Sequence, residues 1–360
     1  MHTALLVPSL IRRNINIRVP QDFATPQEAL DSLRGTTCMG VAIIIAAGTY
    51  DQHLVIRDIA LLGDPSADTG DVPYEAARFG LAIRMENYAD RIAPAVTVRG
   101  ITSQVGNVAV CGIRANMNGI TNLLNWGFGA INRGRLFCYD CLADNVAGVT
   151  NPGGSFGFGF LAQNGGILRS YRGIARNCTH GFGSLRGSLL LAPLAVAENN
   201  KSWQFYSGES SSLWVPNSSG RGPYGYYSIQ NSALYADSST FVGTLAGSSY
   251  SALATIGSRL SCSSCNFSVG FIGVYSDVGS VVVANNTRCT GLSYGFFSTT
   301  GGTIHCASAI AQNDTVGYYA ATAGVIYAYT TSANNAGNTT NYSPATSGVF
   351  GNTNGQVMFS

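Results

Sequence analysis

The side chains with the widest chemical range lie in one stretch, between Glu198 and Tyr227. This stretch contains the only lysine of the chain, Lys201, and a group of aromatic and charged residues: Trp203, Tyr206, Glu209, Trp214, Arg221, Tyr224 and Tyr226. Aromatic rings beside charged and amide groups can hold sugars by stacking against their C–H faces and by hydrogen bonds to their hydroxyls. The stretch therefore predicts a glycan-binding site that consists of Trp203, Tyr206, Trp214, Arg221 and Tyr224. The alternative is that these rings pack within a repeat or between subunits.

Cleavage of a glycosidic bond would require two carboxyl groups about 5–9.5 Å apart. Only seven acidic residues follow residue 100, and no two are adjacent: Asp140, Asp144, Glu198, Glu209, Asp237, Asp277 and Asp314. Glu198 and Glu209 are the candidate catalytic residues. They are half a repeat apart, so we expect them on different sides of one subunit, where they could meet only residues of a neighbouring subunit in a groove.

Two cysteine pairs, Cys138/Cys141 and Cys262/Cys265, have the spacing of zinc ligands. Residues three apart in a strand point to opposite faces. The two pairs are also separated by about five repeats, roughly 25 Å at the spacing of neighbouring strands. We therefore expect buried structural cysteines, with Cys111, Cys138 and Cys306 in the interior, and no metal or other cofactor. Of the histidines, His180 is expected at a surface turn, with a catalytic role as the alternative, and His305 is expected inside or at the side of the repeat.

Composition excludes several classes of protein. Charged residues make up 11% of the chain and the net charge is +2, which provides no basic surface for nucleic acid. Apolar runs such as Val41–Ala47 are far shorter than the roughly 20 residues that span a bilayer, so we expect no membrane insertion. The hydrophobic content of 46% is sufficient for a folded core.

A repeat of about 22 residues organises most of the chain. Its starting positions are separated by 22, 22, 22, 26, 22, 23 and 22 residues, and they are Gly165, Gly187, Glu209, Asn231, Gly257, Gly279, Gly302 and Gly324. Three residues after each start, a predicted inward column contains Leu168, Leu190, Ser212, Leu234, Leu260, Val282, His305 and Tyr327. A later aromatic column contains Phe182, Phe205, Tyr227, Phe296, Tyr319 and Tyr342. A fixed period with position-specific chemistry is typical of a solenoid.

The segments inside each repeat are short, β-branched or aromatic, and bounded by Asn and Gly, which favours strands. We therefore predict an all-β fold, a right-handed parallel β-helix of ~22-residue coils with an N-terminal capping helix. Thr25 as N-cap, Pro26 at the first position and Glu28 predict that the helix spans 26–33. The predicted organisation is an arm and capping helix over 1–40, a β-helix over 41–342 that is irregular to about 133 and regular from 134, and a tail over 343–360.

Two segments resemble a known family. The run from Asp22 to Leu33, followed by Ile43-Ile-Ile-Ala-Ala-Gly-Thr-Tyr, resembles the opening of pectin-lyase-like β-helices in bacteriophage tailspikes and tail fibres. The closing segment Ala333-Asn-Asn-Ala-Gly-Asn-Thr-Thr-Asn-Tyr-Ser-Pro resembles the last coil of such fibres. These motifs cover about 20 residues near each end.

The resemblance implies a homotrimer in the phage tail of the virion, made in the host cytoplasm, that attaches the phage to a bacterial surface polysaccharide. It also implies contact with other phage tail proteins through the N-terminal arm, which is short here. The scarcity of acidic residues favours receptor binding over cleavage. A polysaccharide depolymerase of the same architecture, either a glycoside hydrolase or a lyase, is the alternative.

Overall fold

The chain forms a parallel β-solenoid, as the repeat predicts. The computed structural model describes residues 11–62, 79–88, 93–117, 126–146, 150–151, 154–155, 157–244, 249–329, 337–343 and 356–358. Strands of successive coils pair side by side, and every such pairing in the described residues is parallel. No helix in these ranges is both long and apolar enough to cross a membrane.

Each coil passes through three sheet surfaces, which we name the first, second and third face. The first face consists of Asn16–Val19, Val41–Ile45, Leu81–Met85, Val108–Cys111, Arg135–Tyr139, Ile167–Tyr171, Leu189–Leu191, Ser212–Trp214, Ala233–Tyr235, Arg259–Ser261, Val281–Val283, Thr303–His305, Val325–Tyr327 and Gln356–Met358. The second face contains Ile113–Asn116, Leu142–Asp144, Ile174–Arg176, Val196–Glu198, Ser219–Gly222, Thr240–Gly243 and Ile310–Gln312. The third face contains Trp126–Ile131, Phe158–Gln163, His180–Leu185, Trp203–Ser207, Tyr224–Ile229, Tyr250–Thr255, Val316–Ala320 and Thr340–Ser343.

Some strands lie outside this simple division. Four long strands run through both the second and the third face: Gly48–Ile56, Val96–Ser103, Asn266–Ser276 and Arg288–Ser298. Near the N-terminus, Ile11–Arg13, Thr37–Met39 and Ala60–Leu61 form a small separate sheet. Thr150–Asn151 and Gly154–Ser155 pair as an antiparallel hairpin. The sheet of the first face includes strands from both the predicted arm and the predicted tail.

The inward ladder of the first face corrects the predicted column. It consists of Leu136, Leu168, Leu190, Leu213, Leu234, Leu260, Val282, Ile304, Ile326 and Val357. Ser212, His305 and Tyr327 were predicted in this column but are their outward-facing neighbours; His305 is exposed and stacks on Tyr327 at 4.8 Å. A shift of one residue in a strand moves a side chain to the opposite face. In these three coils, the repeat start that was inferred from the sequence is displaced by one residue from the actual corner of the coil.

A second inward ladder consists of stacked aromatic rings on the third face: Phe128, Phe160, Phe182, Phe205 and Tyr226, and further along Phe296 and Tyr318. Tyr227 and Tyr319, predicted in this column, point outward by the same one-residue shift, and the side chain of Tyr342 lies outside the described residues. Ala252 interrupts the stack. Phe241 and Phe267 of the second face lie against Tyr226 there, at 6.5 and 6.1 Å between ring centres, and supply the missing volume.

The corner between the third and first faces explains the small residues of the repeat. Two consecutive residues adopt the left-handed conformation there, for example Arg186 and Gly187, with φ of 56° and 67°. The next residue is buried, and five successive coils place a serine there. The backbone N–H of Ser188 donates to the Oγ of Ser211 at 3.2 Å, and that of Ser211 donates to Ser232 at 3.4 Å. Small side chains therefore form a hydrogen-bonded corner.

The N-terminal helix spans Pro26–Asp31, with the Thr25 hydroxyl accepting a hydrogen bond from the N–H of Glu28. It ends two residues before the predicted Leu33. Ala29 and Leu30 are buried, and the helix lies against Gly48–Ile56, where the N–H of Val55 donates to the side-chain oxygen of Gln27 at 2.9 Å. That the helix covers the open end of the solenoid stays a prediction.

Every cysteine of the chain is buried, which confirms the interior placement of Cys111, Cys138 and Cys306. Burial raises the pKa of these three thiols above the usual value. In the described ranges, no three His, Cys, Asp or Glu side chains converge as metal ligands would.

Candidate functional site

The outer surface of the third face carries a continuous stripe of aromatic side chains. We call it the aromatic stripe, and it consists of Phe158, His180, Trp203, Tyr206, Tyr224, Tyr227, Tyr250, Phe271, Tyr275, Tyr294, Phe297 and Tyr319. Neighbouring rings are in contact from coil to coil, with centres 4.3 to 6.2 Å apart. The stripe crosses eight coils, about 34 Å at the usual spacing of parallel strands. Apart from the buried Phe158 and His180, its rings are partly exposed.

A local sequence pattern places these rings. Five strands of the third face carry an outward ring, a glycine and an inward ring in succession, as in Tyr224-Gly225-Tyr226. The glycine is required because coils approach closely at this bend. A Cβ atom at Gly225 would lie 2.2 Å from the carbonyl oxygen of Ser251, and one at Gly159 would lie 3.0 Å from that of Gly181. One strand can therefore carry two aromatic side chains that point to opposite sides of the sheet.

A pocket of about 190 Å³ adjoins the N-terminal part of the stripe. It is lined by Trp126, Phe158, Leu161, Gln163, Leu185, Arg186 and Glu209. Phe158, Leu161 and Leu185 form a small apolar cluster separate from the main core, with Trp126 and Tyr206 packed on it. The Nε of Arg186 lies 3.0 Å from a carboxylate oxygen of Glu209. The pocket thus combines an apolar floor with an amide and one ion pair at its edge.

Trp126 is fixed from behind by a short polar chain. Its indole N–H donates to the hydroxyl of Thr102 at 2.8 Å, and that hydroxyl also lies 2.7 Å from Nε2 of His53. Burial lowers the pKa of His53 to about 4, so the imidazole is neutral near pH 7. The orientation of the indole is therefore set by hydrogen bonds rather than by a charge.

Three phenol groups of the stripe have a raised pKa and are protonated at neutral pH. Burial, together with nearby Tyr206 and Asp277, raises the pKa of Tyr227 to about 12. The pKa of Tyr275 is raised to about 12 mainly by burial. Burial, with Glu209, also raises the pKa of Tyr206. These three rings are neutral, and their hydroxyl groups can donate hydrogen bonds.

The structure brings together four of the residues that the sequence singled out. Trp203, Tyr206 and Tyr224 belong to the stripe, where Trp203 stacks on Tyr227 at 4.3 Å and on Tyr224 at 4.9 Å. Glu209 lines the adjoining pocket. Their roles in glycan binding or catalysis stay predictions.

The other three predicted site residues lie elsewhere on the solenoid. Glu198 and Arg221 are register neighbours on the second face, and both are exposed. Trp214 is on the first face, 46% exposed, beside Tyr235 at 4.6 Å. Within one subunit, Glu198 and Glu209 therefore do not share a site, as the sequence predicted, and a pair could form only with groups from a neighbouring subunit.

Most of the stripe was missed from the sequence. The stretch singled out from the sequence ends at Tyr227, although the aromatic-Gly-aromatic pattern recurs at Tyr294-Gly-Phe296. His180 was predicted at a surface turn. It is instead a buried member of a third-face strand and stacks on Phe158 at 4.7 Å. The repeated pattern at one position of each coil was the signal that could have found these residues.

A larger pocket of about 530 Å³ lies at the corner between the first and second faces and includes Asp140 and Arg172. Both carboxylate oxygens of Asp140 are engaged: Arg172 donates to them at 2.7 and 2.9 Å, and the hydroxyl of Tyr88 donates at 2.7 Å. A carboxylate held in this way links the coil to the preceding segment. We therefore attach the candidate site to the smaller pocket and the stripe.

Comparison of the sequence with known protein families and with curated proteins finds no match. Among solved structures, the chain is similar to the A-modules of mannuronan C-5 epimerases AlgE4 and AlgE6 from Azotobacter vinelandii, at 11% and 12% identity. The TM-scores are 0.26 and 0.25, and each alignment covers 93% of this chain and 94% of the module. Values this low carry no argument about activity or substrate.

Proposed function

We propose that this chain recognises a polysaccharide through the aromatic stripe, as a subunit of a bacteriophage tail fibre or tailspike that attaches to a bacterial surface. The stripe supplies the observation for glycan binding. The phage setting, the homotrimer and the location in the virion rest on the resemblance of both ends of the sequence to such fibres.

One observation carries the binding proposal: aromatic rings in mutual contact line the outside of eight successive coils while a separate set fills the inside. Rings that only stabilised the solenoid would be covered, but Trp203, Tyr224 and Tyr275 are partly exposed. A row of rings matched to the coil spacing can stack against successive sugar units of an extended chain, and phenol hydroxyls can donate to sugar oxygens.

A matched pair of variants tests this proposal. Trp203→Ala removes a central ring of the stripe, whereas Trp214→Ala removes an exposed tryptophan from the first face. We expect Trp203→Ala to weaken binding to purified surface polysaccharide of a susceptible bacterium by about tenfold, equivalent to about 1.4 kcal/mol. Trp214→Ala should bind like the wild type. Equal affinity of Trp203→Ala and wild type, at an unchanged melting temperature, would contradict the proposal.

Depolymerisation is the second candidate function. Because Glu209 lines the pocket beside the stripe, this pocket is the place on the solenoid where cleavage is best supported. Replacing Glu209 by Gln retains size but removes the charge that a general base or nucleophile needs. If the chain is a depolymerase that uses Glu209, Glu209→Gln should bind polysaccharide normally and release reducing ends orders of magnitude more slowly. Unchanged release by this variant would exclude Glu209 as the catalytic group.

A further inference from the structure

The third face is unusual in having no ionic side chains along most of its length. Nine consecutive segments, 126–131, 158–163, 180–185, 203–207, 224–229, 250–255, 272–276, 294–298 and 316–320, contain no Asp, Glu, Lys or Arg. The only titratable groups in them are tyrosines and the buried His180. A ligand that lies along this face therefore meets rings, aliphatic side chains, hydroxyls and amides.

The corners that border this face do not supply a net charge. At the corner towards the first face, Arg133 and Arg186 are balanced by Glu209 and Asp277, and Arg186 is already paired with Glu209. At the corner towards the second face, Lys201 is the one exposed charged residue of the described turns that enter these segments. A single lysine cannot neutralise a chain of regularly spaced anionic groups.

Electrostatics then discriminates between classes of glycan. The face of an aromatic ring carries negative charge density, which attracts the C–H edges of a sugar and repels a carboxylate. Sites for carboxylates normally use arginine or lysine, because removing an anion from water without a partner is costly. An acidic polysaccharide would place a row of carboxylates against the stripe, and the exposed cations at its borders, Lys201, Arg133 and Arg186, are too few to receive them all.

We infer that the ligand of the aromatic stripe is a polysaccharide of uncharged sugar units, bound lengthwise along the solenoid axis. This inference rests on the proposed function and specifies its ligand class. Binding should depend on stacking and on hydrogen bonds from the phenols, so it should vary little with ionic strength.

Affinity electrophoresis with surface polysaccharides from a panel of bacteria tests the inference. Each acidic polysaccharide is used both as extracted and after chemical reduction of its carboxyl groups, which retains the backbone and removes the charge. We expect retention by neutral or carboxyl-reduced polymers, changed less than about twofold between about 0.05 and 0.5 M NaCl, and lost in Trp203→Ala but not in Trp214→Ala.

The possible failures are distinguishable. Preferential retention by the unreduced acidic polymers, weakened by salt and lost in Trp203→Ala, would overturn the neutral ligand while leaving binding by the stripe intact. Retention that is the same for Trp203→Ala and wild type, or no retention on any polymer, would overturn the proposed function and this inference together.

Discussion

Two neighbouring tyrosines show how a single position decides the role of a side chain in this solenoid. Tyr226 is fully buried and stacks on Phe205 with ring centres 4.8 Å apart, and its hydroxyl lies 3.1 Å from that of Ser218. Tyr227 points to the outside and stacks on Trp203. The first ring belongs to the core and the second to the candidate site, although the two residue types are the same.

Asp314 occupies a place that asparagine fills in other coils. Asn200 accepts from the N–H of Cys178 at 2.9 Å and donates to the carbonyl of Ala175 at 3.2 Å, both in the preceding coil. Asp314 likewise accepts from the N–H of Leu292 at 2.8 Å, but its second oxygen is buried and unpartnered. A protonated carboxyl could donate from that oxygen, as the amide does in Asn200.

The charge state of Asp314 should therefore affect stability. Burial raises its pKa from 3.8 to about 6, opposed in part by hydrogen bonds from Leu292 and Gly291. Because the folded-state pKa lies above the unfolded value, this group stabilises the fold fully below about pH 4. The contribution is lost as the pH rises through about 6, and it amounts to about 3 kcal/mol.

Replacement of Asp314 by Asn should stabilise the protein at pH 7.5 and change its melting temperature little at pH 4.5, since the amide donates at every pH. Thermal unfolding of both proteins across this range measures the difference. Asn200→Asp provides the reverse control, with lower stability at pH 7.5 than at pH 4.5. If the melting temperatures of Asp314→Asn and the wild type differ by the same amount at all pH values, the charge state of Asp314 does not affect stability and the prediction is wrong.

At the scale of the element, the close packing of coils makes the glycines of the third face sensitive. A methyl group at Gly225 would meet the carbonyl oxygen of Ser251, so Gly225→Ala should destabilise the fold by about 2 kcal/mol or more. Gly106→Ala provides the control, because its new methyl group would meet no atom within 4 Å. We expect it to stay within about 0.5 kcal/mol of the wild type in thermal unfolding. Equal melting temperatures of the two variants would show that the coils can separate at Gly225.

The sequence predicts well those elements that have a distinct residue pattern, either a repeat or a helix cap. The 22-residue period predicted a parallel β-helix, and the cap of Thr25 and Pro26 predicted the start of the helix. The orientation of individual residues was less predictable, because the number of residues per coil varies. Placing one start at Glu209 instead of Ser210 assigned the inward position to Ser212 instead of Leu213. The distribution of Trp203, Trp214 and Arg221 over three faces depends on the same coil geometry, which spacing along the sequence does not supply.

At the scale of the whole molecule, the resemblance to phage fibres predicts a homotrimer. A partly exposed aromatic pair on the first face, His305 with Tyr327, provides surface for contacts between subunits that would leave the third face open. We expect light scattering to give a mass about three times 37.7 kDa at low micromolar concentration. A mass of one subunit would contradict the predicted trimer but would leave the binding surface of each chain in place.

The most direct test of glycan binding by the aromatic stripe is a crystal structure of the protein with an oligosaccharide from a surface polysaccharide that it binds. We predict sugar rings stacked on the aromatic stripe between Phe158 and Tyr319, with their chain running from coil to coil. Sugar bound on the first or second face, with the stripe covered by another subunit, would contradict it.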